Sequence, residues 1–474
     1  MNPEEFRRIG HELIDWIADY RAQAASGALP VMPKVLPGEL KRSVPAAPPT
    51  EAQPLESVLR DVRELILPAC THWLHPRFCG YFPSNSSLAA VLGDYLSTGL
   101  AQLGLNWQAS PALTELEEVT TDWLRQMMGL SALWSGVIQD TASSGALVAL
   151  ICARERTSGY GAVHGGLQGG GKPLVVYTSS QSHSSVDKAA LMAGFGREYV
   201  RSVSIDERFA MRPDALEQAV RADRSRGLLP CAVVATTGST ATTACDPLDA
   251  IARVARSNGL WMHVDAALAG SAMLLPECRK LWTGVEEADS LVVNPHKWLG
   301  ASFDCSTYFV RDPQHLVRVM STNPSYLLTA ADSQVRNYRD WGIPLGRRFR
   351  ALKLWFLIRE QGVAGLQARL RRDLEHAQWL AARIDTTPGW RRLAPVPLQT
   401  VCVRHEPPGL GGEALDAHTL EWVRRINESG KAYMTPAILN GRWMVRVAFG
   451  GEATEHRHVA EVWDLMQDAA AASG

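Results

Sequence analysis

A lysine and an aspartate each follow an apolar segment of the sequence. Lys297 comes shortly after the apolar run 290–293, and Asp265 comes directly after the run 260–264. If these runs are strands of an α/β sheet, both side chains lie at the carboxyl ends of strands, where such sheets bind ligands. A partly desolvated lysine amine loses its proton readily and attacks aldehydes. A carboxylate can keep a pyridine nitrogen protonated, so the pair predicts a site for pyridoxal phosphate (PLP).

Each of these residues has a simpler explanation when it is taken alone. A lysine after a strand is usually a solvated loop residue, and an aspartate there usually caps the next helix. The combination is more specific, because PLP needs an amine for its aldehyde and an acid for its ring nitrogen. The interpretation therefore depends on both residues occurring within one alternating pattern of strands and helices.

That pattern extends from about residue 88 to residue 311. Apolar runs predict strands at 174–177, 231–235, 260–264, 291–293 and 307–310. Helical stretches lie between them, for example at 145–155, 214–225 and 247–258. This alternation is typical of an α/β fold in which a mostly parallel sheet is covered by helices on both faces.

The flanking regions have a different pattern. Apolar residues at helical spacing predict an amphipathic helix over 3–25, followed by a linker rich in proline and glycine and a second helix over 55–67. After residue 351 helices dominate, and two strand-like pieces and a last helix follow at 399–404, 443–449 and 455–472. We therefore expect an N-terminal helical segment (1–87), a large cofactor-binding domain (88–350) and a small α+β domain (351–474).

Composition excludes several classes of function. The 474 residues carry a net charge of −1, so no basic excess indicates a nucleic acid or an acidic membrane surface as partner. The eight cysteines include no Cys-x-x-Cys pair, which gives no support to a metal or redox site. The N-terminus lacks the apolar core of a signal peptide, and no apolar run is long enough to cross a bilayer. We expect a cytoplasmic enzyme with reduced thiols.

One segment has a sequence close to that of a nucleotide-binding loop. Residues 166–172 read Gly-Leu-Gln-Gly-Gly-Gly-Lys, but Pro173 stands where the magnesium-binding serine or threonine is needed. The segment also precedes a predicted strand instead of following one, so a nucleotide site is disfavoured.

Motifs along almost the whole chain resemble those of the group II PLP-dependent amino-acid decarboxylases, and among them the aromatic-L-amino-acid decarboxylases. The matching motifs occupy residues 5–8, 71–73, 81–83, 110–117, 181–185, 209–212, 263–267, 294–298 and 343–350. The resemblance implies PLP-dependent fold type I, the aspartate-aminotransferase type. It also implies a homodimer with active sites at the subunit interface, in which the N-terminal segment packs on the partner.

The resemblance implies a role for each of five catalytic candidates. Lys297 would carry PLP covalently as a Schiff base, and Asp265 would hold the pyridine nitrogen protonated. His183 would stack on the cofactor ring, and His296 would lie near the lysine. Tyr326, on a segment similar to the mobile active-site loop of the family, would protonate the substrate α-carbon after CO2 leaves.

Further residues are similar to those that bind the cofactor in this family. The turn 141–145 is rich in hydroxyl groups and opens a predicted helix, where backbone N–H groups suit a phosphate dianion. Within this turn the resemblance assigns Ala142 and Ser143 to the phosphate. Thr240 and Asn294 match two more cofactor contacts.

The substrate pocket implied by the resemblance is apolar and aromatic. Its residues are Trp73, Tyr81, Phe82, Ser84, Leu103 and Leu105. Nothing among them supplies a cation for a glutamate side chain. Leu105 stands where animal relatives commonly have phenylalanine, Ser84 replaces a threonine, and Leu268 stands where tyrosine is frequent. These departures leave the preferred ring open among catechol, phenol, indole and phenyl.

The expected reaction is decarboxylation of L-DOPA, 5-hydroxytryptophan, tryptophan or a related amino acid to its amine and CO2. The nearest alternative is an aromatic aldehyde synthase, in which the loop tyrosine or the stacking histidine is typically replaced. Both Tyr326 and His183 are present, which favours formation of the amine. An aminotransferase of the same fold and a PLP-binding protein without turnover remain as further alternatives.

Overall fold

The structure is a computed structural model that describes residues 1–82, 84–168, 171–322, 329, 331–332 and 334–473. It divides into two compact units. The first unit comprises Met1–Pro83, Gln378–Leu393 and Val401–Gly474, and the second comprises Ser84–Ala377 and Ala394–Thr400.

The α-helices of the described chain are α1 (Pro3–Ser26), α2 (Glu39–Ser43), α3 (Leu55–Asp61), α4 (Leu88–Gly99), α5 (Pro111–Met128), α6 (Ala142–Thr157), α7 (Ser185–Met192), α8 (Pro213–Ser225), α9 (Leu248–Asn258), α10 (Pro313–Met320), α11 (Ala351–Thr386), α12 (Gly412–Ser429) and α13 (His456–Ala471). The strands are β1 (Phe78–Cys79), β2 (Ser135–Gln139), β3 (Leu174–Ser179), β4 (Val200–Val203), β5 (Leu229–Thr236), β6 (Trp261–Asp265), β7 (Ser290–Val293), β8 (Ser306–Val310), β9 (Trp390–Arg392), β10 (Thr400–His405), β11 (Tyr433–Leu439) and β12 (Arg442–Ala448).

The second unit is built on a seven-stranded sheet in the order β2-β8-β7-β6-β5-β3-β4. Strand β8 runs antiparallel to both neighbours, and the other pairs are parallel. Helices α6 and α7 share one hydrophobic core with the sheet, and helices cover both of its sides. The α/β fold with a mostly parallel sheet, predicted from the sequence, is confirmed.

The register of this sheet brings three strand ends together. Asp265, the last residue of β6, lies opposite Thr236 of β5 on one side and Val292 of β7 on the other. Because these three strands are parallel, the segments that follow them emerge at one edge of the sheet. That edge carries the residues that the sequence singled out.

The first unit contains a five-stranded sheet in the order β1-β11-β12-β10-β9. Strand β1, near the N-terminus, pairs in parallel with β11, so this unit combines segments from both ends of the chain. The division into three consecutive segments expected from the sequence stays a prediction. Packing of the N-terminal segment on a partner subunit stays a prediction.

Helix boundaries follow local signals closely. The predicted first helix is confirmed as α1, where the Asn2 side chain accepts the N–H of Glu5 at 2.9 Å and Pro3 occupies the first turn. After residue 351, where helices were expected to dominate, the chain forms the long element α11, which is interrupted at Gly362 with a φ of 62°. Among the residues described, no helix is both long enough and apolar enough to cross a bilayer.

Candidate active site

Lys297 lies in a short turn, Pro295–Leu299, that directly follows β7 and Asn294. Its backbone leaves the helical region, with φ −96° and ψ −115°, while its N–H donates to the Asn294 carbonyl at 3.0 Å. Gly300 ends the turn with a φ of 98°, a conformation that favours glycine. The lysine is half-buried and the other residues of the turn are buried. The turn therefore holds the amine at the carboxyl edge of the sheet.

Side chains of helix α11 hold this turn in place through hydrogen bonds. The Trp298 indole N–H donates to Oδ2 of Asp373 at 2.9 Å. The Arg369 guanidinium donates to the carbonyls of Trp298, at 2.8 Å, and Leu299. Glycine at position 300 leaves room, because a Cβ there would lie 3.0 Å from Nη2 of Arg369. Sequence reasoning missed Arg369 and Asp373, since neither lies near Lys297 in the chain.

Asp265 is a buried carboxylate at the end of β6. Its Oδ1 accepts the N–H of Ala267 at 3.0 Å, which orients the group. His263, two residues earlier on the same strand, is also buried and lies 2.9 Å from the Ser290 hydroxyl through Nδ1. Burial lowers the pKa of His263 to about 4, although the Asp265 charge acts in the opposite direction. His263 is therefore neutral at pH 7, and it contributes no positive charge beside Asp265.

His183 lies between β3 and α7, with Nδ1 2.8 Å from the Ser185 hydroxyl. The N–H of Ser185 donates to the same nitrogen at 3.1 Å, so the proton of the neutral ring is on Nε2. The residue is exposed, yet desolvation by nearby protein lowers its pKa. The charge of Asp265 raises this pKa, and that of Lys297 lowers it further. The three predicted groups therefore lie close enough to interact at one site.

The predicted phosphate turn forms the N-terminus of α6, with Thr141 as the flanking residue. The Thr141 carbonyl accepts the N–H groups of the third and fourth residues that follow it, at 3.2 and 3.3 Å. The N–H groups of Ala142 and Ser143 precede the regular helix bonds and lie at its positive end, which suits a phosphate. Gly145 lets α6 approach the sheet, because a Cβ there would lie 3.0 Å from Val292.

His296, next to the lysine, is buried and neutral. Its Nδ1 accepts the backbone N–H of Cys305 at 2.9 Å, which fixes the ring orientation. Burial lowers its pKa to about 4, and the charge of Lys297 acts in the same direction. His296 is therefore unable to supply a positive charge near pH 7.

Asn294 and Thr240 complete the cofactor candidates. The Asn294 side chain is buried and accepts a hydrogen bond from the Ser306 hydroxyl at 2.6 Å. Thr240 is exposed on the loop that follows β5. This loop is tied to the site, because the N–H of Thr237 donates to the Asp265 carbonyl at 2.9 Å. Both candidates thus lie on segments that leave the same edge of the sheet.

The predicted substrate residues fall into both units. Trp73, Tyr81 and Phe82 belong to the first unit, where the Trp73 and Tyr81 rings stack with centroids 5.6 Å apart. The Arg446 guanidinium lies 4.8 Å from the Phe82 ring centre. Leu103 and Leu105 belong to the second unit, exposed and half-buried respectively.

Two further predicted residues complete the set. Ser84 belongs to the second unit and is half-buried. Tyr326 lies outside the described residues, so its proposed role in protonation stays a prediction.

A buried ion pair holds β2, the strand that leads to the predicted phosphate turn. Arg347 and Glu117 join through Nη2 and Oε1 at 2.6 Å. Oε1 of Glu117 also accepts the N–H of Ile138 at 2.8 Å, and Arg347 donates to the Ile138 carbonyl at 2.6 Å. Ile138 is on β2, the strand that leads to Thr141. Both charged residues lie in motifs that carry the resemblance, but sequence reasoning gave them no role.

Comparison with known proteins identifies the family of this chain. A family model described as the pyridoxal-dependent decarboxylase conserved domain matches residues 37–405. The chain belongs to this family. The resemblance found in the sequence, the PLP cofactor, the carboxy-lyase class and fold type I are thereby confirmed.

This pyridoxal-dependent decarboxylase is similar to plant proteins over nearly its whole length. Tryptophan decarboxylase 2 of Oryza sativa subsp. japonica is 40% identical, with 99% of this chain and 95% of the relative covered. Phenylacetaldehyde synthase of Arabidopsis thaliana is also 40% identical, with 99% and 96% covered. The crystal structure of Oryza sativa TDC with PLP and tryptamine has a TM-score of 0.95 at 36% identity, covering 100% of this chain and 99% of that chain.

The site of the decarboxylase fits PLP on its own chemistry. A half-buried amine, a buried carboxylate and the N–H groups at the start of a helix lie on segments that leave one edge of the sheet. They match the aldehyde, the ring nitrogen and the phosphate of the cofactor in turn.

Proposed function

We propose that this chain converts aromatic L-amino acids to the corresponding amines and CO2. The observation that carries the proposal is the meeting of His183, Asp265 and Lys297 at one edge of the sheet, where both charges act on the pKa of His183. The similar plant proteins named tryptophan decarboxylase and phenylacetaldehyde synthase support aromatic amino acids as the substrate class.

Each residue of the proposed site has a distinct task. Lys297 would hold PLP covalently, and Asp265 would stabilise a positive charge on its ring nitrogen. The N–H groups of Ala142 and Ser143 would bind the phosphate, with Asn294, His296 and Thr240 as further contacts. When bound, PLP accepts the electrons that are released as the bond between Cα and the carboxylate breaks.

The protein supplies orientation and a proton. His183 presents a protonated Nε2, because Nδ1 accepts the backbone N–H of Ser185. Its ring would stack on the cofactor and keep the substrate between fixed groups. We propose that Tyr326, assisted by His183, delivers the proton to Cα. Retention of both residues favours the amine as product over the aldehyde.

The aromatic residues of the first unit suit a substrate ring. Trp73 and Tyr81 stack at 5.6 Å, and such ring pairs contribute about 0.5–1.5 kcal/mol beyond the area they bury. We propose that these two residues, together with Phe82, contact the ring of the substrate. Ser84, Leu103 and Leu105, in the second unit, remain candidates for substrate contact.

We also propose that the protein is a homodimer. Four apolar side chains on α4 share one helix face and are at least 42% exposed: Leu88, Leu92, Tyr95 and Leu96. A continuous exposed apolar face of this kind is typical of a protein contact. Light scattering after size exclusion should give twice the chain mass of 51.9 kDa, and a monomer that retains full activity would contradict the proposal.

We further propose a cytoplasmic location. None of the eight cysteines, all of which lie within the described residues, forms a disulfide, and six of them are buried, which suits a reducing compartment. Fractionation of the native cells, followed by an immunoblot of each fraction, tests this location.

Product analysis tests the proposed reaction directly. The purified protein with PLP would receive L-DOPA, 5-hydroxytryptophan, tryptophan, tyrosine, phenylalanine, histidine and glutamate in separate assays. Amine and CO2 in equal amounts from the aromatic substrates would support the decarboxylase. Aldehyde with ammonia and peroxide would instead identify an aldehyde synthase. Amino-group exchange with an added keto acid would identify an aminotransferase, and bound PLP without turnover would indicate a binding protein.

A further inference from the structure

Four aromatic rings of the first unit form a cluster in which Tyr433 has no assigned role. Its ring centre lies 5.4 Å from that of Phe78 and 5.7 Å from that of Tyr81, which in turn stacks on Trp73. Pairing of β1 with β11 sets Tyr433 directly opposite Phe78. Gly80 leaves room for the ring, because a Cβ there would lie 2.3 Å from Cδ1 of Tyr433. Tyr433 therefore packs on the backbone that leads into Tyr81.

The backbone of Tyr81 is held in an uncommon conformation. Its φ is 47°, in the left-handed region that side chains disfavour. Its N–H donates to Oγ1 of Thr435 at 2.6 Å, and its carbonyl accepts from Nη1 of Arg446 at 3.3 Å. Such a conformation persists only where the surroundings enforce it, and it occurs often at ligand sites. The neighbouring strands β11 and β12 thus fix the backbone position of Tyr81.

The hydroxyl of Tyr433 fixes the position of the Tyr81 hydroxyl. It donates a hydrogen bond to the Tyr81 hydroxyl oxygen at 3.0 Å. Because a hydroxyl carries one proton, the proton of Tyr81 stays available for a different acceptor. Tyr81 is 49% exposed, so a ligand can reach it. A hydroxyl on a substrate ring offers a suitable acceptor, and an unsubstituted phenyl ring offers none.

We propose that Tyr433 is a positioning residue that makes Tyr81 a hydrogen-bond donor to the ring hydroxyl of a phenolic amino acid. The inference rests on the proposed function, in which Tyr81 contacts the substrate ring. It names hydroxylated aromatic amino acids as the preferred substrate class. A site built to bond a substrate hydroxyl discriminates against the analogue that lacks it, because a polar group of the site is then left unpaired.

Tyr433→Phe tests this role, because it keeps the ring and removes only the hydroxyl. The holoenzyme is assayed for amine release with two matched pairs: L-tyrosine against L-phenylalanine, and 5-hydroxytryptophan against tryptophan. We expect kcat/KM for L-tyrosine to fall about 3- to 10-fold, as for the loss of one hydrogen bond. For L-phenylalanine it should change less than about twofold. A purely packing role would lower both values equally.

Two sets of variants sharpen the test. Thr435→Val, which releases the Tyr81 backbone, should lower the same tyrosine-to-phenylalanine ratio, and Thr435→Ser should restore it. Tyr160→Phe is a matched control, since it removes a tyrosine hydroxyl that lies 2.7 Å from His315 in the other unit. This control should leave the ratio unchanged.

The outcomes separate this inference from the proposed function. If the wild-type protein releases amine but Tyr433→Phe leaves the ratio unchanged, the role of Tyr433 is overturned and the decarboxylase stands. Equal loss on both substrates overturns it as well. If the wild-type protein releases no amine from any of the four substrates, the proposed function itself fails.

Discussion

The buried ion pair between Glu117 and Arg347 permits a quantitative stability prediction. The Arg347 side chain is 5% exposed and that of Glu117 is fully buried, with 2.6 Å between the bonded atoms. Both also bond the backbone of Ile138 on β2. Arg347→Met should lower the free energy of unfolding by about 3–5 kcal/mol, because the carboxylate is then buried without its counter-ion. Since β2 leads to the predicted phosphate turn, affinity for PLP should fall as well.

The double variant tests this reasoning more strictly than either single one. Glu117→Gln removes the charge that Arg347→Met leaves unpaired, so the combined loss should be smaller than the sum by about 1–3 kcal/mol. Urea unfolding would be followed by tryptophan fluorescence and by circular dichroism, with PLP affinity measured from absorbance. Arg253→Met is the control, because its pair with Asp249 is exposed and should contribute less than about 1 kcal/mol. Additive losses, or a cost for Arg347→Met no larger than that of the control, would refute the argument.

Four further predictions address the site itself. Lys297→Ala should abolish the visible absorbance of covalently bound PLP, and an unchanged spectrum would contradict the assignment. Tyr326→Phe should shift the product from amine to aldehyde, which chromatography of both products would measure. Leu105→Phe should narrow the pocket and disfavour indoles relative to catechols, so relative kcat/KM values are the test. Burial raises the pKa of Asp373 to about 6, so this group stabilises the fold at low pH and its contribution is lost as pH rises through 6. Asp373→Asn should therefore remove about 1 kcal/mol of the stability difference between pH 5 and pH 7, measured from urea midpoints.

The sequence predicted the elements whose residues share one local pattern. The strands that end at Asp265 and shortly before Lys297 are continuous apolar runs, as expected for buried parallel strands. Strand β4 was missed because it lies at the edge of the sheet, where Arg201 and Ser202 interrupt the apolar run. Strand β2 was missed because its apolar run is only Val137 and Ile138, next to Gly136, where a Cβ would lie 2.8 Å from Phe309. A local sequence pattern indicates the burial of one segment, whereas the burial of β2 and β4 depends on neighbouring elements.

The contacts that hold the turn of Lys297 could not be predicted from sequence patterns, for a related reason. Arg369 and Asp373 on α11 hold the turn that carries Lys297, although they are distant from it in the chain. On a helix, a buried arginine gives the same local signal as one that extends into solvent. Nothing in the spacing of residues along α11 shows that a tryptophan N–H and two backbone carbonyls lie within hydrogen-bonding distance of its side chains. Such residues are found only when the fold brings them together.

Two histidines of the predicted site, His183 and His296, are held in their neutral forms by backbone N–H groups. Nδ1 of His183 accepts the N–H of Ser185, and Nδ1 of His296 accepts that of Cys305. Protonation at Nδ1 would break each bond, and desolvation lowers both pKa values further. The backbone thereby keeps both rings neutral near pH 7. A His183 imidazolium would compete with a pyridinium for the Asp265 carboxylate, whose charge acts on His183. Local hydrogen bonds to the main chain thus leave the Asp265 carboxylate available for the protonated ring nitrogen of PLP.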